Sequence, residues 1–145
     1  MKFISLAVLS FLLLAGTCFA RSSPALCPRH IDAPDYPAVA RVLHVEGKVV
    51  LRVTIGADGA VLDAKPASGS KADAILDDAA TENVRHWTFA KPPSAPYVET
   101  ITYVYEIDQS LPSDDGTVQS PAITRLSFDL PDRVTVRTNA QISDP

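Results

Sequence analysis

The sequence predicts a small α+β domain. One main helix packs on one face of an antiparallel sheet of three strands, with a short helix ahead of it and further strands behind. Three observations predict this. Residues 70–89 carry a helical apolar stripe, residues 47–55 and 97–107 alternate with a period of two, and Asp58-Gly59 separates the first of these strands from a second strand-like run.

The stripe is the clearest pattern in the chain. Ala72, Leu76, Ala80, Val84 and Trp87 recur at helical spacing, widened by Ile75 and Ala79, while Asp77, Asp78, Thr81, Glu82 and Arg85 fall on the opposite face. Ser70 followed by Asp73 resembles a capping box and predicts the start of the helix at Ser70. The small residues Ala79 and Ala80 suit a helix lying flat on a sheet, with Trp87 and Phe89 anchoring the core.

The remaining elements follow in order. Met1-Lys2, the apolar run Phe3 to Leu14 and the small residue of Cys18-Phe19-Ala20 have the layout of a secretory signal peptide cleaved after Ala20. The run is shorter than the roughly 20 residues of a membrane-spanning helix, so no membrane span is expected after cleavage. Leu14 to Cys18 also resembles a lipid-attachment box, except that Thr17 stands where such boxes carry Gly, Ala or Ser. The expected location is therefore the periplasm, with a lipoprotein as the alternative. Removing residues 1–20 leaves 12 basic and 17 acidic side chains, a net charge of −5, and no basic stripe, which argues against a nucleic-acid partner. Of the 2 cysteines only Cys27 then remains, so an internal disulfide is excluded.

Residues 21–35 are rich in proline and lack apolar periodicity, and are expected to form an extended leader. Tyr36 to His44 predicts a short helix with Pro37 in its first turn, where a missing N–H costs nothing. In Gly47 to Ile55, Val49, Leu51, Val53 and Ile55 face one way and Lys48, Arg52 and Thr54 the other, as in a half-buried antiparallel strand. Asp58-Gly59 predicts a tight hairpin turn and Ala60 to Lys65 the return strand. After the main helix and a proline-rich loop, Lys91 to Pro96, the third strand spans Tyr97 to Ile107. It sets Ile101, Tyr103, Tyr105 and Ile107 against Val98, Thr100, Thr102 and Val104, the latter face apolar enough to call for cover. A connector over residues 108–121 leads to a C-terminal β extension, residues 122–145, with strand-like runs Ala122 to Leu130 and Arg133 to Ile142 around Pro131-Asp132. The predicted core comprises Leu51, Val53, Leu76, Val84, Trp87 and Phe89.

Taken together, Tyr36-Pro37 with Ala40, Gly47-Lys48-Val49, Asp58-Gly59-Ala60-Val61, Ser68-Gly69, Leu76-Asp77 with Ala79-Ala80, Val84-Arg85 and Trp87-Thr88-Phe89 resemble the C-terminal domain of TonB-like proteins over residues 36–107. The resemblance implies a helix packed on a three-stranded antiparallel sheet. It also implies binding of a short extended segment of an outer-membrane transporter at a sheet edge, the step that couples inner-membrane energy to uptake. This chain departs from that pattern in retaining no membrane anchor, in lacking a long proline-rich spanning segment and in carrying a C-terminal extension. What the resemblance implies is thus a TonB-like binding domain and not an energy-transducing TonB.

Chemistry-bearing patterns are sparse. Cys27 and His30 sit in a proline-rich stretch that offers neither a rigid pocket nor a group to lower the thiol pKa, so a free or intermolecularly paired thiol is expected. His30, His44 and His86 show no two-ligand spacing, and no metal or cofactor is expected. Asp77 and Asp78 are adjacent and point about 100° apart on a helix, as on a solvated face. Ser68-Gly69-Ser70 lacks the Gly-Lys of a phosphate loop and reads as a turn. An enzyme is not expected.

Two function classes remain. One is a protein-binding module that adds a partner's extended segment to the edge of the third strand, through Val98, Thr100, Thr102, Val104 and Glu106. Its partner would be an outer-membrane transporter segment or another envelope protein. The other is a structural or assembly unit of the envelope, its edge filled by its own tail or by a second copy in a homodimer. Ile123 to Leu130 alternates, its Leu126, Phe128 and Leu130 call for cover, and it is the run expected to pair with the third strand.

Overall fold

The structure is a computed structural model that describes residues 26–68, 72–113 and 122–141. The signal peptide predicted from sequence, the cleavage and lipid-attachment positions proposed for it, Gly69-Ser70, most of the connector and Ile142 lie outside the described residues.

Strand β1 (Pro28–His30) is followed by helix α1 (Ala38–Val42), strands β2 (Gly47–Ile55) and β3 (Val61–Pro66), and helix α2 (Ala74–Arg85). Strands β4 (Thr88–Phe89), β5 (Tyr97–Ile107), β6 (Thr124–Asp129) and β7 (Arg133–Thr138) complete the fold. The α+β class predicted from sequence holds, but the sheet is larger than three strands. Among the described residues it has five, in the order β3-β2-β5-β7-β6, and it is mixed. The pairs β2–β3, β2–β5 and β6–β7 are antiparallel, whereas β5–β7 is parallel. A separate ribbon pairs β1 with β4, so the leader is partly structured, and Leu26 ahead of it is buried in the core.

The helix begins later than the capping box suggested. Asp73 is the N-cap, its Oδ1 accepting from the Ile75 N–H at 2.9 Å, and the backbone of α2 starts at Ala74. Trp87 lies just past the His86 C-cap and not within the helix, yet it is buried as the stripe required. The Asp58-Gly59 turn is present, with Asp58 Oδ1 accepting from the Ala60 N–H. Gly59 has φ +91°, and a Cβ there would collide with the Phe89 carbonyl oxygen. The Phe89 N–H donates to Gly59 O at 2.8 Å, joining this turn to the segment after α2.

The predicted core residues Leu51, Val53, Leu76, Val84, Trp87 and Phe89 are all at most 2% exposed. α2 lies over β2 and β3, and the rings of Trp87, Tyr103, Tyr105 and Tyr36 continue the core across β5. Val134 and Val136 extend it onto β7, and both are fully buried. On the opposite face of the sheet no described residues give such cover: Val98 and Thr100 are exposed, while Thr102, Val104 and Glu106 are half-buried.

Candidate protein-binding edge

The backbone of β5 explains what its edge can do. In a strand, successive residues turn their N–H and C=O groups to opposite sides. The Thr102 N–H donates to Asp132 O and the Asp108 N–H to Thr138 O, each at 2.7 Å, so the even-numbered residues of β5 address the side on which β7 lies. Those are Val98, Thr100, Thr102, Val104 and Glu106, the five edge residues singled out from sequence.

β7 takes three of them. Its register runs from Thr102 opposite Arg133 to Ile107 opposite Thr138, which covers Thr102, Val104 and Glu106. On the outer face, Glu106 Oε2 accepts from Arg137 Nε at 2.7 Å. Val98 and Thr100 lie beyond the end of β7. The Thr100 N–H donates to the neighbouring Glu99 carboxylate, at 3.2 Å, and that same carboxylate accepts from the Leu26 N–H at 3.3 Å. Beside them a groove of about 540 Å³ is lined by Arg52, Lys65, Pro66, Ala67, Ser68, Val98 and Thr100. A larger groove of about 700 Å³, lined among others by Glu46, Lys48, Glu106 and Arg137, lies at the other end of the same strands. There the edge of β5 is already filled.

The run that meets β5 is Arg133–Thr138 and not Ile123 to Leu130, which pairs only with β7. The reason is burial. Val134 and Val136 present a continuous apolar face to the core, while Phe128 remains 39% exposed. The hairpin is clamped by Asn139, which is fully buried. Its Oδ1 accepts from the Ile123 N–H at 2.9 Å, its Nδ2 donates to Pro112 O at 2.8 Å, and the Thr138 hydroxyl donates to Ile123 O at 2.9 Å. One amide thus joins the end of β7, the approach to β6 and the loop after β5. Nothing in the spacing of the sequence marked Asn139 for this role.

The structure brings together a histidine cluster that sequence spacing did not reveal. His30 Nε2 lies 2.8 Å from Asp32 Oδ1 and His86 Nδ1 lies 3.2 Å from Asp32 Oδ2. The hydrogen bond from His30, and secondarily that from His86, hold the Asp32 carboxyl below its ordinary value against an opposing burial penalty. The cluster is exposed and ties the leader to the end of α2. His44 stands apart, Cys27 is exposed and free, and Asp78 is exposed on α2. Among the described residues there is no group of His, Cys, Asp and Glu side chains able to hold a metal ion, and no helix long and apolar enough to cross a membrane.

No curated protein and no solved structure matches the chain. The family described as Gram-negative bacterial TonB protein C-terminal matches residues 32–108, just over half of the chain, running from Asp32 of the histidine cluster to the end of β5 and leaving the β6–β7 hairpin outside. By this match the chain belongs to the TonB C-terminal family, whose domains are envelope-related modules of protein interaction.

Proposed function

We propose that this domain, exported to the periplasm by cleavage after Ala20, is a non-catalytic binding module. It takes an extended segment of an outer-membrane transport protein or another envelope protein by strand addition at the edge of β5. The observation that carries this reading is the direction of the backbone groups: Val98, Thr100, Thr102, Val104 and Glu106 all turn theirs to one side. In this reading Val98 and Thr100 are the entry point, and Arg52, across β5 in the adjoining groove, receives an acidic side chain of the segment. A longer segment displaces β7, which lies outside the family region and acts as a stand-in for the partner.

A second reading is supported by the pairing of β7 with Thr102–Ile107 and by the Asn139 clamp. Here the domain is a structural or assembly unit of the envelope whose edge is permanently capped by its own strand. Photo-crosslinking in cells from position 100 separates the two, with position 78 on α2 as the control. Capture of one envelope protein from position 100, increased by Asn139→Ala, supports strand addition. Equal yields from positions 100 and 78, unchanged by Asn139→Ala, support the capped unit.

A further inference from the structure

β6 is one of the two margins of the sheet, the other being β3, which carries Lys65 and Pro66. Among the described residues no strand pairs with the outer side of β6, and Thr124–Asp129 contains neither proline nor lysine, two of the devices that blunt such edges. The Asn139 N–H donates to Ile123 O, so the odd-numbered residues of β6 turn their backbone groups to β7. Those of Thr124, Leu126 and Phe128 therefore face outward, unpaired.

Two side-chain features of this margin are incomplete within one molecule. Leu126 and Phe128 stand opposite Val136 and Val134 on the core face, yet Phe128 is 39% exposed and the adjoining Leu130 48%. On the other face Arg125 stands directly opposite Arg137, which holds Glu106 at 2.7 Å; Asp108 lies within electrostatic range of both arginines, and Asp129 stands opposite Arg133. Like charges directly opposite each other in an antiparallel pair are unfavourable.

We infer that β6 pairs antiparallel with β6 of a second copy of this chain, about a two-fold axis through Ser127, doubling the sheet. Read from either end, the segment Arg125-Leu126-Ser127-Phe128-Asp129 complements itself. Ser127 meets Ser127 of the partner subunit, Arg125 meets Asp129 of the partner subunit, and Leu126 meets Phe128 of the partner subunit. The core face stays continuous only when odd residues meet odd. Centring the axis on Leu126 instead sets Arg125 against a serine and Asp129 against Ile123. Centring it on Phe128 sets Arg125 against Pro131. Of these, only the Ser127 axis sets Arg125 against a carboxylate of the partner subunit, and it makes Leu126 and Phe128 of the partner subunit the pair that exchanges backbone hydrogen bonds, in keeping with their outward groups. The contact is isologous and closes as a dimer. It is compatible with a partner segment at Val98 and Thr100, whereas a longer segment that displaces β7 would take β6 out of the sheet with it.

The test uses the full mature chain. Sedimentation is expected to give a dimer mass that dissociates on dilution. Arg125→Asp sets two pairs of carboxylates against each other and raises the dimer Kd about tenfold or more. It exchanges the clash with Arg137 for an attraction while bringing a carboxylate toward Asp108, so its unfolding midpoint shifts little. Adding Asp129→Arg reverses both intermolecular pairs, and Arg133→Asp keeps an opposite charge across from position 129 on β7, so the triple variant restores the dimer. In a Cys27→Ser background, Ser127→Cys crosslinks to its own symmetry mate, because non-hydrogen-bonded antiparallel positions lie about 4.5 Å apart at Cα, within disulfide reach. Thr135→Cys, one strand inward, does not. A chain that is monomeric at every concentration overturns the inference. So does a dimer that is indifferent to Arg125→Asp and leaves Ser127→Cys reduced.

Discussion

The Tyr103 hydroxyl donates to Asn83 Oδ1 at 2.8 Å, and through that bond the middle of β5 is tied to the last turn of α2. The same oxygen accepts from Trp87 Nε1 at 3.1 Å, so one amide satisfies two donors that burial has removed from water. Asn83→Ala leaves both unpaired, at about 1–3 kcal/mol for each buried group. Tyr103→Phe removes one donor and leaves Trp87 its acceptor, so it costs less. Urea unfolding of the two variants checks the order, and a larger loss for Tyr103→Phe would contradict the shared acceptor.

Trp87 packs against Phe89 and Tyr103 with ring centroids 6.2 and 6.0 Å away. Trp87→Ala is expected to cost about 3–5 kcal/mol through lost burial and the cavity left behind. Glu82 is exposed and makes only a long contact to Arg85, at 3.5 Å, and another to His86. Glu82→Ala should shift stability by no more than about 0.5 kcal/mol. Denaturation midpoints measured side by side decide it; similar losses would mean that α2 is packed otherwise.

Amide exchange along β5 should show a step. Among the described residues no strand lies beside Val98 and Thr100 on the β7 side, whereas Thr102, Val104 and Glu106 are in the parallel ladder. The first two amides should exchange much faster than the other three. Asn139→Ala, which releases the clamp on the hairpin, should speed exchange at the latter three and leave Val53 on β2 unchanged. Uniform protection from Val98 to Glu106 would show that something else covers the open half.

Alkaline pH should unfold the domain through its tyrosines. Burial first, and the charge of Glu46 second, push the Tyr36 phenol from its ordinary value of 10.0 to about 12. Tyr103 and Tyr105 are raised in the same direction, chiefly by burial. A group whose pKa is raised on folding contributes fully below its unfolded value, and that contribution is lost as pH rises through the folded one. Stability is therefore expected to hold below pH 10 and to fall between pH 10 and about 12 as unfolding releases phenolic protons. Tyr36→Phe loses the 2.6 Å bond to Val45 O and is less stable at neutral pH, but its decline above pH 10 is shallower. Parallel declines for the two proteins would remove Tyr36 from the account.

What the sequence by itself determined is which side chains are inside. Leu51 and Val53 alternate, Leu76 and Val84 recur at helical spacing, and these local periods fix the buried face of each element whatever stands opposite it. Asp58-Gly59 likewise specified its turn, because only a residue free to adopt a positive φ fits there. What only the tertiary structure decided is which strand lies beside β5. Ile123 to Leu130 and Arg133 to Thr138 alternate equally well, and alternation says nothing about neighbours. The choice fell to β7 because Val134 and Val136 complete the core while Asn139 joins three segments far apart in the chain. The placement of α2's cap at Asp73 and the meeting of His30 and His86 on Asp32 are of the same kind, settled by hydrogen bonds whose partners no spacing identifies. A strand's face is a property of its own residues, but its neighbour is a property of the whole sheet.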